Sequence, residues 1–363
     1  MADSRGHLFL WSGIRKGIVS QDKPQLYPQL FQQIKSGILK SERKSTSCST
    51  SKPIRMTYFT HTILIISIFE KSIVNPMKNL FLSLLLIFPA LVQAQELKPY
   101  QFYNSRGKAV TFGKMINSLK DYDVVLFGEY HNNSINHWLE LKTAEALFEK
   151  KGNRLILGCE MYERDNQEAI DRYLSGDIND EKLGEEARLW NNHKTDYLPI
   201  LEFARQKKLL MIATNVPRRF AALVAKKGKD SLKLESHEVP WVVKLPYEVS
   251  METPGYDEML KMMGDHAGSR AMNFVAAQAI KDATMAESIL NHLSPGTLFF
   301  HYEGDFHSKE HGGIYWYLKK ARPELKIAVI SISESVDPAL KLPSDFKKTE
   351  FNLVMPQDMT KTY

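Results

Sequence analysis

Cysteine is almost missing from this sequence: Cys48 and Cys159 are the only two in 363 residues. Two residues cannot build the multi-bridge framework that staples small exported domains, so a hydrophobic core must hold the fold. Cys159 lies in an apolar run, where a small buried thiol is the expectation. A bilayer-spanning stretch is missing too. The runs THTILIISIF at 60–69 and Leu80 to Val92 are shorter than the ~20 apolar residues a spanning helix needs. Excess charge disappears on inspection. The chain is formally +6, but residues 1–94 hold 12 Lys and Arg against 4 Asp and Glu, leaving 36 basic and 38 acidic residues beyond them. The remainder therefore presents no electrostatic case for binding nucleic acid. No internal repeat is visible.

The first 76 residues have no sustained period and include the Ser/Thr/Lys stretch SERKSTSCSTSK. They read as a non-native or disordered leader. From Met77 the pattern changes: Lys78, an apolar run from Leu80 to Val92, then Val92-Gln93-Ala94. A charged start, a short apolar run and a small-residue cleavage site describe a secretory signal peptide over 77–94, cleaved near Ala94. Translation is expected to begin at Met77 and the product to be exported, to the periplasm or an outer-membrane-associated position. No cysteine follows the apolar run to carry a lipid anchor.

Beyond residue 94, short apolar runs alternate with helical periods. Val124 to Phe127, Leu155 to Leu157, Leu209 to Ala213, Thr297 to Phe300 and Lys326 to Ser331 read as strands. Trp138 to Lys150, Tyr197 to Gln206 and Ala276 to His292 carry apolar residues three and four apart and read as helices. Strands without polar alternation, separated by helices, predict an α/β domain over 95–363, with a mostly parallel central sheet flanked by helices. Residues 230–275 break the pattern. Pro240, Pro246 and Pro254 precede METPGYDEMLKMMGDHAG, which reads as a helical Met-rich insertion or lid. Its methionines suit either core filling or an adaptable apolar surface for a large planar ligand.

The strand ends are unusually rich in polar side chains. The first strand ends in Glu129, Tyr130 and His131, the second in Glu160, the third in Asn215 and Arg218, and the fourth in Glu303, Asp305 and His307. Ligands of open parallel sheets bind outside the carboxyl ends of the strands, so these residues are expected on one edge. Glu129, His131, Glu160 and His307 have the donor types that hold zinc, manganese or iron. Without a metal the same groups suit general acid–base work, and Arg218 suits an anionic group held bidentately. His193 and His237 have no such context and read as surface residues.

At these residues the chain resembles the ChaN family of haem-binding uptake proteins, within a superfamily that includes Tiki proteases and erythromycin esterases. The matching pieces are GEYH at 128–131, GCEMYERDNQ at 158–167, NVPR at 215–218, AQAIKDATMAESI at 277–289 and GDFH at 304–307. The resemblance implies an exported haem-binding α/β protein of iron uptake, with tyrosine on the iron, a homodimer and peripheral association with outer membrane or uptake machinery. The alternative it implies is a metal-dependent hydrolase of peptides or esters, using Glu129, His131, Glu160 and His307. No motif fixes the haem tyrosine. Tyr256 and His266 in the insertion are the expectation, because tyrosine ligation is an established haem mode; Tyr130, Tyr162 and Tyr302 are rivals.

Overall fold

A computed structural model describes residues 97–363, apart from 245–246, 264–269 and 347. The expected leader, the signal segment at 77–94, Pro246 and His266 lie outside the described residues. Among the described residues, no helix is long and apolar enough to cross a membrane.

Eight strands form one sheet: β1 (Gln101–Asn104), β2 (Ala109–Val110), β3 (Val124–Glu129), β4 (Leu155–Glu163), β5 (Met211–Asn215), β6 (Leu298–Gly304), β7 (Ile327–Ser335) and β8 (Phe351–Pro356). Their spatial order is β2-β1-β8-β7-β3-β6-β4-β5. The six from β8 to β5 are mutually parallel, and β1 and β2 close one edge antiparallel. The α/β class and parallel sheet are as the sequence predicts. The strands β1, β2 and β8 have no counterpart in that reading.

Alternation within β3 explains the two-sided core. Val125 and Phe127 join a cluster with Met115 and Leu119 of α1 (Phe112–Leu119), Leu139 and Leu147 of α2 (Ser134–Lys151), and Leu201 and Ala204 of α5 (Leu198–Lys207). The other residues, Val124 and Leu126, face Met285 and Ile289 of α8 (Ala271–His292) and Ile314 and Leu318 of α9 (Gly313–Ala321). With helices on both faces, neither side can be polar, which is why the strand reads as an unbroken apolar run. The remaining helices are α3 (Gln167–Ser175), α4 (Asp180–Glu186), α6 (Arg218–Lys227) and α7 (Tyr256–Met263).

The chain path creates one special place. From β3 it passes over α2 to β4 and on to β5. It then returns through α6 and α8 to β6, which inserts between β3 and β4. From β6 the chain leaves toward β7, on the other side of β3. The neighbours β3 and β6 thus lead away in opposite directions, which makes their carboxyl ends the switch point at which open α/β sheets bind ligands. Their register pairs Gly128 with Glu303 and Glu129 with Gly304, so GEYH and GDFH lie side by side there.

The insertion is less of a lid than its prolines suggest. Val242, Tyr247 and Tyr256 pack with Phe220 and Val224 of α6 and with Val275, Ala279 and Ile280 of α8, forming a third core. Its carboxyl boundary is displaced, because α8 begins at Ala271. Met251, Met262, Met272 and Phe274 are exposed.

Candidate functional site

The strands run further than their apolar runs. Glu129, Glu160 and Glu303 belong to the strands themselves and are buried. The register of β4 against β5 shifts between Cys159 and Glu163, and such an irregularity re-aims side chains. Glu160 lies within it and is turned toward β6.

From there the polar side chains form a line. The Tyr197 hydroxyl donates to Glu129 Oε1 at 2.8 Å, and His131 Nδ1 meets the same oxygen at 2.6 Å. The other nitrogen of His131, Nε2, is 3.9 Å from Glu160 Oε2. Glu160 Oε1 is 3.1 Å from His307 Nε2, and His307 Nδ1 pairs with Asp282 of α8. Asp282 Oδ2 accepts from the Tyr256 hydroxyl at 2.8 Å. Each imidazole sits between two carboxylates, and a phenol closes each end. Lys281 Nζ and the Gly304 N–H also reach Glu160, at 3.5 and 3.0 Å.

Two glycines make the approach possible. A Cβ on Gly304 would lie 2.8 Å from His131 Nε2, and one on Gly128 would collide with the Asp305 carboxylate. A side chain at either position would have to displace one of these site groups, which gives the glycines of GEYH and GDFH a steric reason.

Burial sets the charges along the line. Burial and neighbouring Glu140 push the Glu129 carboxyl up to about 7, against the pull of His131 and His137. Glu160 goes the other way: burial would raise it, but His307, Lys281 and His131 outweigh that and hold it well below the usual carboxylate range. Burial also works against a charged His307, yet Glu160 and Asp282 lift it to about 9. His131 is raised for the same reason, burial being outweighed by Glu129 and Glu160. The result is a fixed ion pair, Glu160 with His307, next to a protonatable pair, Glu129 with His131. His131 is the accessible point, its side chain 32% exposed, with the ring of Trp190 edge-on at 4.7 Å.

Glu129, His131, Glu160 and His307, predicted from three chain segments, are thus brought to one edge, but along a line. Among the described residues, the group whose ligand atoms converge within 4.8 Å is Glu129, His137 and Glu140, not the expected quartet. Tyr256 departs from expectation: it is 1% exposed, buried in the third core and committed to Asp282, so its oxygen cannot receive iron at the surface. Tyr162 and Tyr302 are also buried, whereas Tyr130 is 38% exposed. Arg218 is exposed, but its Nε is held by Glu163 Oε1 at 2.9 Å and is not a free anion clamp. His193 is buried rather than superficial, and desolvation lowers it to about 4. The sequence reading missed Tyr197, Asp282, Lys281, His137 and Glu140. Asp282 and Lys281 were visible inside AQAIKDATMAESI, where charges interrupt an apolar helical period.

Residues 115–318 match the family model described as "Haem-binding uptake, Tiki superfamily, ChaN". The chain belongs to this family. Among solved structures, it is similar to ChaN of Campylobacter jejuni, described with cofacial haem. Identity is 16% and the TM-score 0.54, covering 70% of this chain and 96% of that one, and the likeness shows a shared fold. Weaker likenesses are the erythromycin esterase EreC in its open conformation (11% identity, TM-score 0.40, 71% and 83% covered) and the type III effector HopBA1 (12%, 0.38, 67% and 91%). Comparison with curated proteins gives no match.

Proposed function

We propose that this protein is an exported haem-binding protein of iron uptake. Membership of the ChaN family is the observation that carries the reading. The side chains present suit the ligand. Tyr130 offers the accessible phenol among the candidate tyrosines, directly before His131 at the carboxyl end of β3, and tyrosine oxygen is a haem iron ligand. The insertion that exposes Met251, Met262, Met272 and Phe274 is tied to this edge through Lys309 Nζ and Glu258 Oε2 at 2.8 Å, and offers apolar cover for a porphyrin or for a second copy of the chain. Haem supplies ferric iron and a flat apolar face; Tyr130 would hold the iron. The pattern at 77–94 supports export, and peripheral association with an outer membrane or uptake machinery accords with the role.

The test is a haemin titration of the full chain, followed at the Soret band. A saturable shift is expected, and a spectrum that remains that of free haemin at every ratio refutes the reading.

A second reading, a hydrolase, is favoured by one observation. Glu129, lifted to about 7, contacts a partly exposed imidazole, and such a pair can pass a proton to and from a substrate at the mouth. Ester and peptide hydrolysis by the purified chain, abolished in Glu129→Gln, would support it; the absence of any turnover above that variant would exclude it.

A further inference from the structure

Glu129 has a second oxygen, and the strand-end line does not use it. Its Oε1 serves Tyr197 and His131, whereas Oε2 is buried with no hydrogen-bond partner. It points toward α2, 3.5 Å from His137 Nδ1. One turn along that helix, Glu140 places Oε2 3.3 Å from the same nitrogen, and Glu140 Oε1 is likewise buried and unpartnered. Glu129, His137 and Glu140 are 2%, 6% and 1% exposed. Among the described residues, neither carboxylate pairs with a lysine or arginine.

The opposite side of the His137 ring decides what lies between them. His137 Nε2 is 3.2 Å from the His131 carbonyl oxygen, which can only accept, and 3.4 Å from Asp196 Oδ2. Nε2 therefore carries a proton. Asn192 Nδ2 fixes both acceptors, donating to the His131 carbonyl at 2.9 Å and to Asp196 Oδ2 at 2.7 Å. Nδ1 then faces Glu140 Oε2 at 3.3 Å and Glu129 Oε2 at 3.5 Å in a buried site, where a proton on the ring or a cation among the three must balance the carboxylates. Three buried donor atoms aimed at one point are unstable unless something positive lies between them. A ligating histidine whose other nitrogen is held by a carbonyl or carboxylate is the usual support of a metal site.

We infer that Glu129, His137 and Glu140 form a buried site for one divalent ion of the zinc or manganese class, behind the strand-end line and joined to it through Glu129. One imidazole and two carboxylates match that class, and His137 and Glu140, three apart on one helix face, present both ligands together. Filling the site would fix Glu129 as a carboxylate. The inference does not depend on the haem reading.

The test uses the full chain after treatment with a chelator. Titration with Co2+ should develop visible absorption that saturates at one ion per chain and is displaced by Zn2+. Glu140→Gln and His137→Gln should abolish it, and Asn192→Ala, which acts by positioning His137, should weaken binding ~10–100-fold. Glu160→Gln should leave it intact. No saturable absorption would mean that the cluster is held by protons and would overturn the inference, as would absorption that survives Glu140→Gln and is lost in Glu160→Gln. If the α2 variants fail to fold, X-ray absorption of the zinc-loaded wild type decides. A first shell with one imidazole among oxygen donors is expected, and two imidazoles, or no bound zinc, would refute the site.

Discussion

Breaking the Glu160–His307 pair tests the electrostatics of the edge. His307 rises from 6.5 to about 9 although burial opposes its charge, so Glu160 and Asp282 together favour the protonated ring by about 3 kcal/mol or more. The charge of Glu160 is the first of the causes that raise the ring, and an even division between the two carboxylates assigns Glu160 roughly 2 kcal/mol. A double-mutant cycle of Glu160→Gln and His307→Gln, read by urea unfolding at pH 7, should give that coupling. Each single variant should cost ~1–3 kcal/mol, because each removes one partner of a buried charge while Asp282 stays with His307 and Lys281 with Glu160. The pH dependence has a definite sign. A group raised on folding contributes fully below its unfolded value of 6.5 and loses the contribution as pH rises through about 9. At pH 10 the coupling should therefore fall to the ~1 kcal/mol of a neutral hydrogen bond. On the acid side Glu160, depressed on folding, contributes fully above 4.5 and loses that contribution progressively as pH falls from there toward its lower folded value. A coupling under ~0.5 kcal/mol at pH 7, or one unchanged at pH 10, would refute the reasoning.

Further perturbations have equally definite outcomes. Gly304→Ala places a methyl group against His131 and should destabilise by ~1–3 kcal/mol while lowering the imidazole pKa of His131, read by urea unfolding and by NMR titration of the ring. Tyr256→Phe should cost ~1–3 kcal/mol, because the buried Asp282 loses a donor, yet should bind haemin like the wild type; loss of haemin binding would restore Tyr256 as a ligand candidate. Phe127→Ala should lower stability by ~3–5 kcal/mol in thermal or urea unfolding, since its ring is fully buried between β3 and the helices of the first core.

The sequence made the scaffold legible where one physical rule acted alone. Strands buried on both faces must be apolar throughout, so β3 to β7 were visible as runs, and α2, α5 and α8 as periods beside them. The strands β2, β1 and β8 at one end of the sheet were not. Two are short, and β8 mixes Asn352 into an apolar run near the chain end, so neither length nor period marked them. At the site, the convergence of Glu129, His131, Glu160 and His307 followed from strand direction alone. Their linear arrangement did not, because it depends on the register of β3 against β6 and on the irregularity in β4. The burial of Tyr256 was not legible, because a tyrosine in a Met-rich segment looks available in sequence, whereas packing against α6 and α8 encloses it. His137 and Glu140 escaped notice for a related reason. They occupy the inward face of α2, where an apolar residue is the rule, and polar residues there read as breaks in the period when they were the signal.

The claim that haem is held at the carboxyl edge of β3 is tested most directly by resonance Raman spectroscopy of the haemin-loaded protein. Phenolate modes coupled to ferric iron are expected in the wild type and in Tyr256→Phe, and should vanish in Tyr130→Phe. Phenolate modes that persist in Tyr130→Phe, or a wild-type haemin complex without them, would contradict the account.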